Sequence, residues 1–232
     1  MRFIIGSTVA LCAATLGGSA FAQATATTPY VLAVGQATVS VQPDEVQIDF
    51  SVLTTATTAQ TAASQNATQT NTLIAALQHL LGTNGNVQTV SYSLSPNYNY
   101  PPNGGSPVLT GFTASNTVQV TATDLSMSGT IIDTGVTAGA TTVTSLQFTL
   151  QNPDPSLQQA LKAATAQAQA HASAMASGVG MHAGAVISIQ QNVATSITPV
   201  NVTPGTTAVT TPVLPGLVNI QATVTLQVTL TM

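Results

Sequence analysis

The sequence predicts an α+β fold, a mainly antiparallel sheet with amphipathic helices packed on one face. Two patterns carry that expectation. Segments in which apolar and polar residues strictly alternate, the period of a strand, recur along the chain. Two long segments switch to the three-and-four spacing of a helix with a single apolar stripe. The order of these segments, strand runs interleaved with long amphipathic helices, suits helices laid on one side of an antiparallel sheet.

Residues Val31 to Val41 and Val46 to Thr54 read as two strands separated by Gln42-Pro43-Asp44. In the second, Val46, Ile48, Phe50 and Val52 share one face, and Gln47, Asp49 and Ser51 the other. From Thr58 the period changes. Ala59, Ala63, Ala67, Thr70, Ile74, Leu77 and Leu81 outline a helical stripe, and Gly82 supplies its stop. Val87 to Leu94 and Leu109 to Ala122 return to strand character, with Pro96 to Pro107 between them as an extended hairpin tip. Asp124 caps a helix expected over Leu125 to Ala138, and a strand follows through Val143, Leu146, Phe148 and Leu150. The clearest helix opens either at Asp154-Pro155 or at Ser156 with Gln159. Its expected stripe is Leu157, Leu161, Ala164, Ala168, Ala172, Met175 and Val179. Ala185 to Gln190 reads as a short strand. Val218 to Leu230 alternates without a break and should turn one face to the core and the other to water or a partner. The Thr- and Pro-rich stretch from Thr195 to Pro215 is a long connection, either functional or mobile.

Charge is the compositional anomaly. Only 3% of residues are Asp, Glu, Lys or Arg, against roughly a quarter in ordinary soluble domains. Thr, Gln, Ser and Asn fill the polar positions instead. Beyond residue 22 a single lysine, Lys162, faces six acids, so no basic footprint for nucleic acid exists. Such a surface has few salt bridges to lose as pH falls, which suggests tolerance of acid. The N-terminus reads as an export signal over residues 1–22: Arg2, an apolar run from Phe3 to Leu16, and Ala20-Phe21-Ala22 for cleavage. An uncleaved anchor is disfavoured by Gly6, Gly17 and Gly18, and lipidation at Cys12 by the bulky Leu11 before it. Removal of the signal would leave a chain without cysteine and without a transmembrane segment. Nine Tyr and Phe residues are too few for the two aromatic girdles of a membrane barrel.

Residues 30–232 read as one domain, and its motifs resemble those of the SIMPL, or DUF541, family of bacterial envelope proteins. Val34-Gly35-Gln36-Ala37-Thr38-Val39 followed by Pro43-Asp44 is similar to the family's opening. Gln88-Thr89, then Pro96 with Tyr98 and Tyr100, come next, and Gly111-Phe112-Thr113-Ala114-Ser115-Asn116 resembles the Gly-Tyr-x-Ala-x-Asn stretch. Asp124-Leu125, Ala138-Gly139-Ala140 and Gly178-Val179-Gly180 complete the series in order. The resemblance implies an exported, typically periplasmic protein without established enzymatic activity, linked to envelope integrity or stress, some relatives forming large oligomers. Family members usually carry many Arg, Lys and Glu on the long helices. This chain has Gln, Thr and Ala there, which argues against a salt-bridged assembly interface.

Catalytic sets are absent by spacing. His79, His171 and His182 fall on different elements, without the paired ligands a metal requires, and Gly178-x-Gly180 follows a helix where a phosphate loop would precede one. No enzyme, cofactor or metal is expected. Asp44 and Glu45 read as turn punctuation. The candidate interaction residues are Tyr98, Tyr100, Pro101 and Pro102 on the hairpin tip, where amphipathic rings suit a neighbouring subunit, an envelope protein or a glycan. The alternative is that the tyrosines fold down on their own sheet edge. Two functions follow: a homo-oligomeric envelope protein, or a monomeric binding module using that tip.

Overall fold

The computed structural model describes residues 28–102, 104–192 and 211–232. In chain order it contains β1 (Tyr30–Val41), β2 (Glu45–Ala56), α1 (Ala59–Leu81), β3 (Gly85–Asn99), β4 (Val108–Ala122), α2 (Ser128–Thr137), β5 (Thr142–Thr149), α3 (Asp154–Gly178), β6 (His182–Asn192) and β7 (Val218–Thr231). A single 3-10 turn, Leu125–Met127, leads into α2. The α+β class holds, with every strand pairing antiparallel and helices on one face. The strands divide into two sheets where one was expected. The first has the order β1-β7-β6, the second β3-β4-β2-β5. The expected signal segment and Cys12 lie outside the described residues, as does all of the Thr195 to Pro215 connection except Thr211 to Pro215.

β1 and β2 are consecutive in sequence yet pair with different partners. β1 runs against β7, Val34 opposite Thr225, while β2 lies between β4 and β5, Phe50 opposite Val118 and Val143. The crossing point is tied at Asp44, whose amide donates to the Thr149 carbonyl at 3.1 Å. Its carboxylate accepts the Gln151 amide at 2.8 Å. The residue expected to punctuate a strand break thus joins both chain crossings between the two sheets.

In the four-stranded sheet the alternation of β2 turns Val46, Ile48, Phe50 and Val52 inward, where they are fully buried under α1 and α2 with Leu73, Leu77, Val118 and Ile131. Burial of each such side chain contributes roughly 1.5–3 kcal/mol. The buried stripe of α1 is Ala62, Asn66, Thr70, Leu73, Leu77 and Leu81, displaced from the expected Ala59-Ala63-Ala67 line over its first half. The cause is a polar residue in the core. Asn66 Nδ2 donates to the Val52 carbonyl at 2.8 Å and the Ala114 carbonyl at 3.2 Å, while Thr70 Oγ1 donates to Asn66 Oδ1. Thr58 caps the helix by accepting from the Thr61 amide.

The three-stranded sheet carries α3 on β1 and β7. Its buried stripe is Ala160, Ala164, Ala168, Ala172 and Ala176, a strict four-residue repeat, so the expected Met175 and Val179 are exposed. Small side chains are required because the helix backbone lies almost on the sheet. A methyl group at Gly35 would overlap the Ala164 carbonyl and the Ala168 amide. The helix opens at Asp154, whose amide donates to Asn152 Oδ1 at 3.1 Å, in place of a Ser156 cap. β7 presents Val218, Ile220, Ala222, Val224, Leu226 and Val228 inward, as its alternation predicts.

Candidate interaction surface

The β3–β4 hairpin is the longest in the molecule and outruns its sheet. β2 pairs with β4 only as far as Phe112 opposite Ala56, so among the described residues Val108 to Gly111 and the facing end of β3 have no third strand. The third strand stops there because β2 ends at Ala56 and the chain turns into α1, capped at Thr58. A Cβ at Gly111 would stand 2.7 Å from the Ala56 carbonyl oxygen.

β3 begins two residues before the expected Val87, at Gly85, and continues five past the expected Leu94, to Asn99, so Tyr98 is a strand residue opposite Leu109 and the tip shrinks to Tyr100 through Pro107. Tyr98 is 48% and Tyr100 70% exposed; Pro102 is exposed and Pro101 half-buried. The four residues singled out in the sequence therefore stay together at one end of the hairpin, and the tyrosine rings do not fold away on the sheet. They adjoin a feature the sequence hid. Val90 is an extra residue in β3, and beyond it Tyr92, Leu94, Pro96 and Tyr98 alternate onto the helix side of the sheet, opposite Asn116, Ala114, Phe112 and Leu109. α1 does not cover this stripe: Tyr92 is 52% and Leu94 39% exposed. Below it, Asn116 Oδ1 is buried without a hydrogen-bond partner. The bulge at Val90 shifts the face by one residue, so a straight alternation count misses the stripe. The absence of any Asp, Glu, Lys, Arg or His between His79 and Asp124 was the available signal.

Other surfaces are less organised for binding. A shallow cleft of about 500 Å³ lies between α1 and α2, lined by Thr72, Ala76, Asp133 and Thr137 among others. Its carboxylate is engaged by the segment entering β7, Thr211 donating to Asp133 through Oγ1 at 2.8 Å. His79 lies in the last turn of α1 and His182 opens β6. His171 on α3 donates from Nδ1 to the Val34 carbonyl at 2.7 Å, and Gln167, one turn earlier, accepts the Gln36 amide through Oε1 at 2.6 Å. No cluster of three or more His, Cys, Asp or Glu side chains gathers among the described residues. No helix among them is long and apolar enough to cross a membrane.

Comparison with known proteins supplies the context for this surface. Residues 31–228 match the family model SIMPL, described as a protein of unknown function (DUF541). The 26 kDa periplasmic immunogenic protein of Brucella melitensis biotype 1 is 30% identical over 169 residues, 71% of this chain and 68% of that protein. The uncharacterized protein YggE of Escherichia coli (strain K12) is 26% identical over 166 residues, 72% of this chain and 67% of that protein.

Proposed function

The chain belongs to the SIMPL family (DUF541), and on that premise we propose that it is an exported, non-catalytic protein of the cell envelope, resident in the periplasm, that works by self-assembly and supports envelope integrity. The observation that carries this reading is the β3–β4 hairpin: a long, exposed arm with an apolar stripe and no ionisable side chain other than tyrosine. Like surfaces repel when they carry net charge, and this arm offers none to oppose docking onto an identical neighbour. The periplasmic assignment rests on the leader-like N-terminus and on the periplasmic name of the Brucella relative. Size-exclusion chromatography with light scattering on residues 23–232, at pH 7 and pH 4, tests assembly. A defined multiple of the chain mass at both values is expected; a monomer at both would remove the reading.

A second reading is favoured by the exposure of Tyr98 and Tyr100, whose rings are free to stack on sugar faces. The protein would then be a monomeric module binding cell-wall glycan or an envelope protein. A glycan pull-down with the Tyr98→Ala, Tyr100→Ala double variant decides it. Retention equal to wild type eliminates the tip as a glycan site.

A further inference from the structure

We propose that the free edge of β3 pairs antiparallel with the same edge of a second copy, about a two-fold axis at Ser93, to make a continuous eight-stranded sheet. The inference rests on the self-assembly reading and names its surface.

Among the described residues β3 is an outer strand of its sheet, paired with β4 on one side only. Edge strands expose unpaired amides and carbonyls, and proteins blunt them with charges, bulges or covering elements. This fold blunts β1 in that way: Gln167 and His171, one turn apart on α3, occupy the Gln36 amide and the Val34 carbonyl on its outer side. β6 is broken by register shifts on either side of Val186. β3 has neither defence between its bulges, where Ser91 to Asn97 run in regular register with β4. Pro96 limits the usable ladder to Ser91 through Ser95 at its core.

The occupant follows from the chemistry of that edge. It must supply a strand, a matching apolar face and no charge, because a partner bearing charge would be desolvated against groups that cannot compensate it. β3 itself meets all three conditions. A two-fold axis perpendicular to the sheet keeps like faces on the same side. With Ser93 opposite Ser93 of the second copy, Tyr92 lies beside Leu94 of that copy and the reverse, so two half-exposed stripes close into one strip. Cross-strand aromatic–aliphatic pairs of this kind are stabilising. The opposite face brings together serines, which tolerate either water or each other.

The test uses exported protein carrying Cys12→Ser, so that no native thiol remains, with Ser93→Cys added. Facing residues of an antiparallel pair lie within disulfide reach. Diamide, which takes up the two electrons and two protons as the sulfurs join, should convert Ser93→Cys to covalent dimer at least about tenfold faster than Ser115→Cys. Ser115 faces Ser93 across the β3–β4 ladder, and its counterpart would stand about 14 Å away. Leu94→Lys, with unchanged circular dichroism, should at least halve the mass measured by light scattering. If wild type assembles but Ser93→Cys cross-links no faster than Ser115→Cys, the edge pairing is wrong and self-assembly stands. If wild type is monomeric at every concentration, both fall.

Discussion

Two asparagines show how this chain handles polar groups in its interior. Asn66 is fully buried on α1, and its amide bonds to two backbone carbonyls of the sheet beneath it, Val52 and Ala114. It stitches helix to sheet where an apolar residue would leave those carbonyls without the extra donor. Asn66→Ala removes two donors and opens a small void, so a loss of about 2–3 kcal/mol is expected, read as a lower urea midpoint at unchanged slope. Asn116 is the contrasting case, because its Oδ1 is buried without a partner. Asn116→Leu discards an unsatisfied oxygen while keeping the branched shape and heavy-atom count, and should stay within about 1 kcal/mol of wild type in the same titration. A large loss there would mean that the amide is engaged in solution. Gly35 is constrained by space: a methyl group meets the backbone of α3. Gly35→Ala must push the helix off the sheet, and a cost of about 3 kcal/mol is expected from overpacking.

At the scale of elements, the hydrogen-bonded plug on β1 is the clearest device. Gln167→Ala with His171→Ala frees the Gln36 amide and the Val34 carbonyl, leaving β1 as an open edge. The double variant should lose about 1–2 kcal/mol and gain concentration-dependent light scattering on warming; unchanged scattering would show that the edge is protected by other means. Individual strands were legible because alternation is local: β2 and β7 bury the residues their patterns nominate. Their division into two sheets was not. Alternation fixes a face but not a partner, and β1 pairs with β7 from the far end of the chain in preference to its neighbour β2. The helices were legible as helices, while their buried stripes were misassigned for physical reasons. Asn66 lies in the core of one, and close approach at Gly35 demands alanine along the other, displacing Met175 and Val179 to the surface. At the candidate surface the tyrosines were legible by type, and their shared face with Leu94 was concealed by the one-residue bulge at Val90.

For the whole molecule, scarcity of charge has a consequence in acid. Acid unfolding has two drivers, the loss of native interactions made by carboxylates and the repulsion among cations left behind. The second is almost missing here. Two Lys and Arg together with three His are all the side-chain cations the full sequence can carry. The first driver is small as well. Among the described residues, the hydrogen bonds accepted by carboxylates that join separate elements are those of Asp44 from Gln151, Asp49 from Gln119 and Asp133 from Thr211. For a chain of this length 1 kcal/mol moves Tm by about 2–4 °C, so the loss of all three bonds, at about 1 kcal/mol each, would be a modest change. The plug on β1 survives acid, because His171 Nδ1 donates to a carbonyl and an imidazolium donates equally well. With three such bonds as the upper bound, acidification from pH 7 to pH 3.5 should lower Tm by no more than about 12 °C. Near-ultraviolet circular dichroism should persist, without the dye-binding apolar exposure of an acid-expanded state. A fall of tens of degrees would mean that a buried charge network, rather than apolar and amide packing, holds the two sheets together.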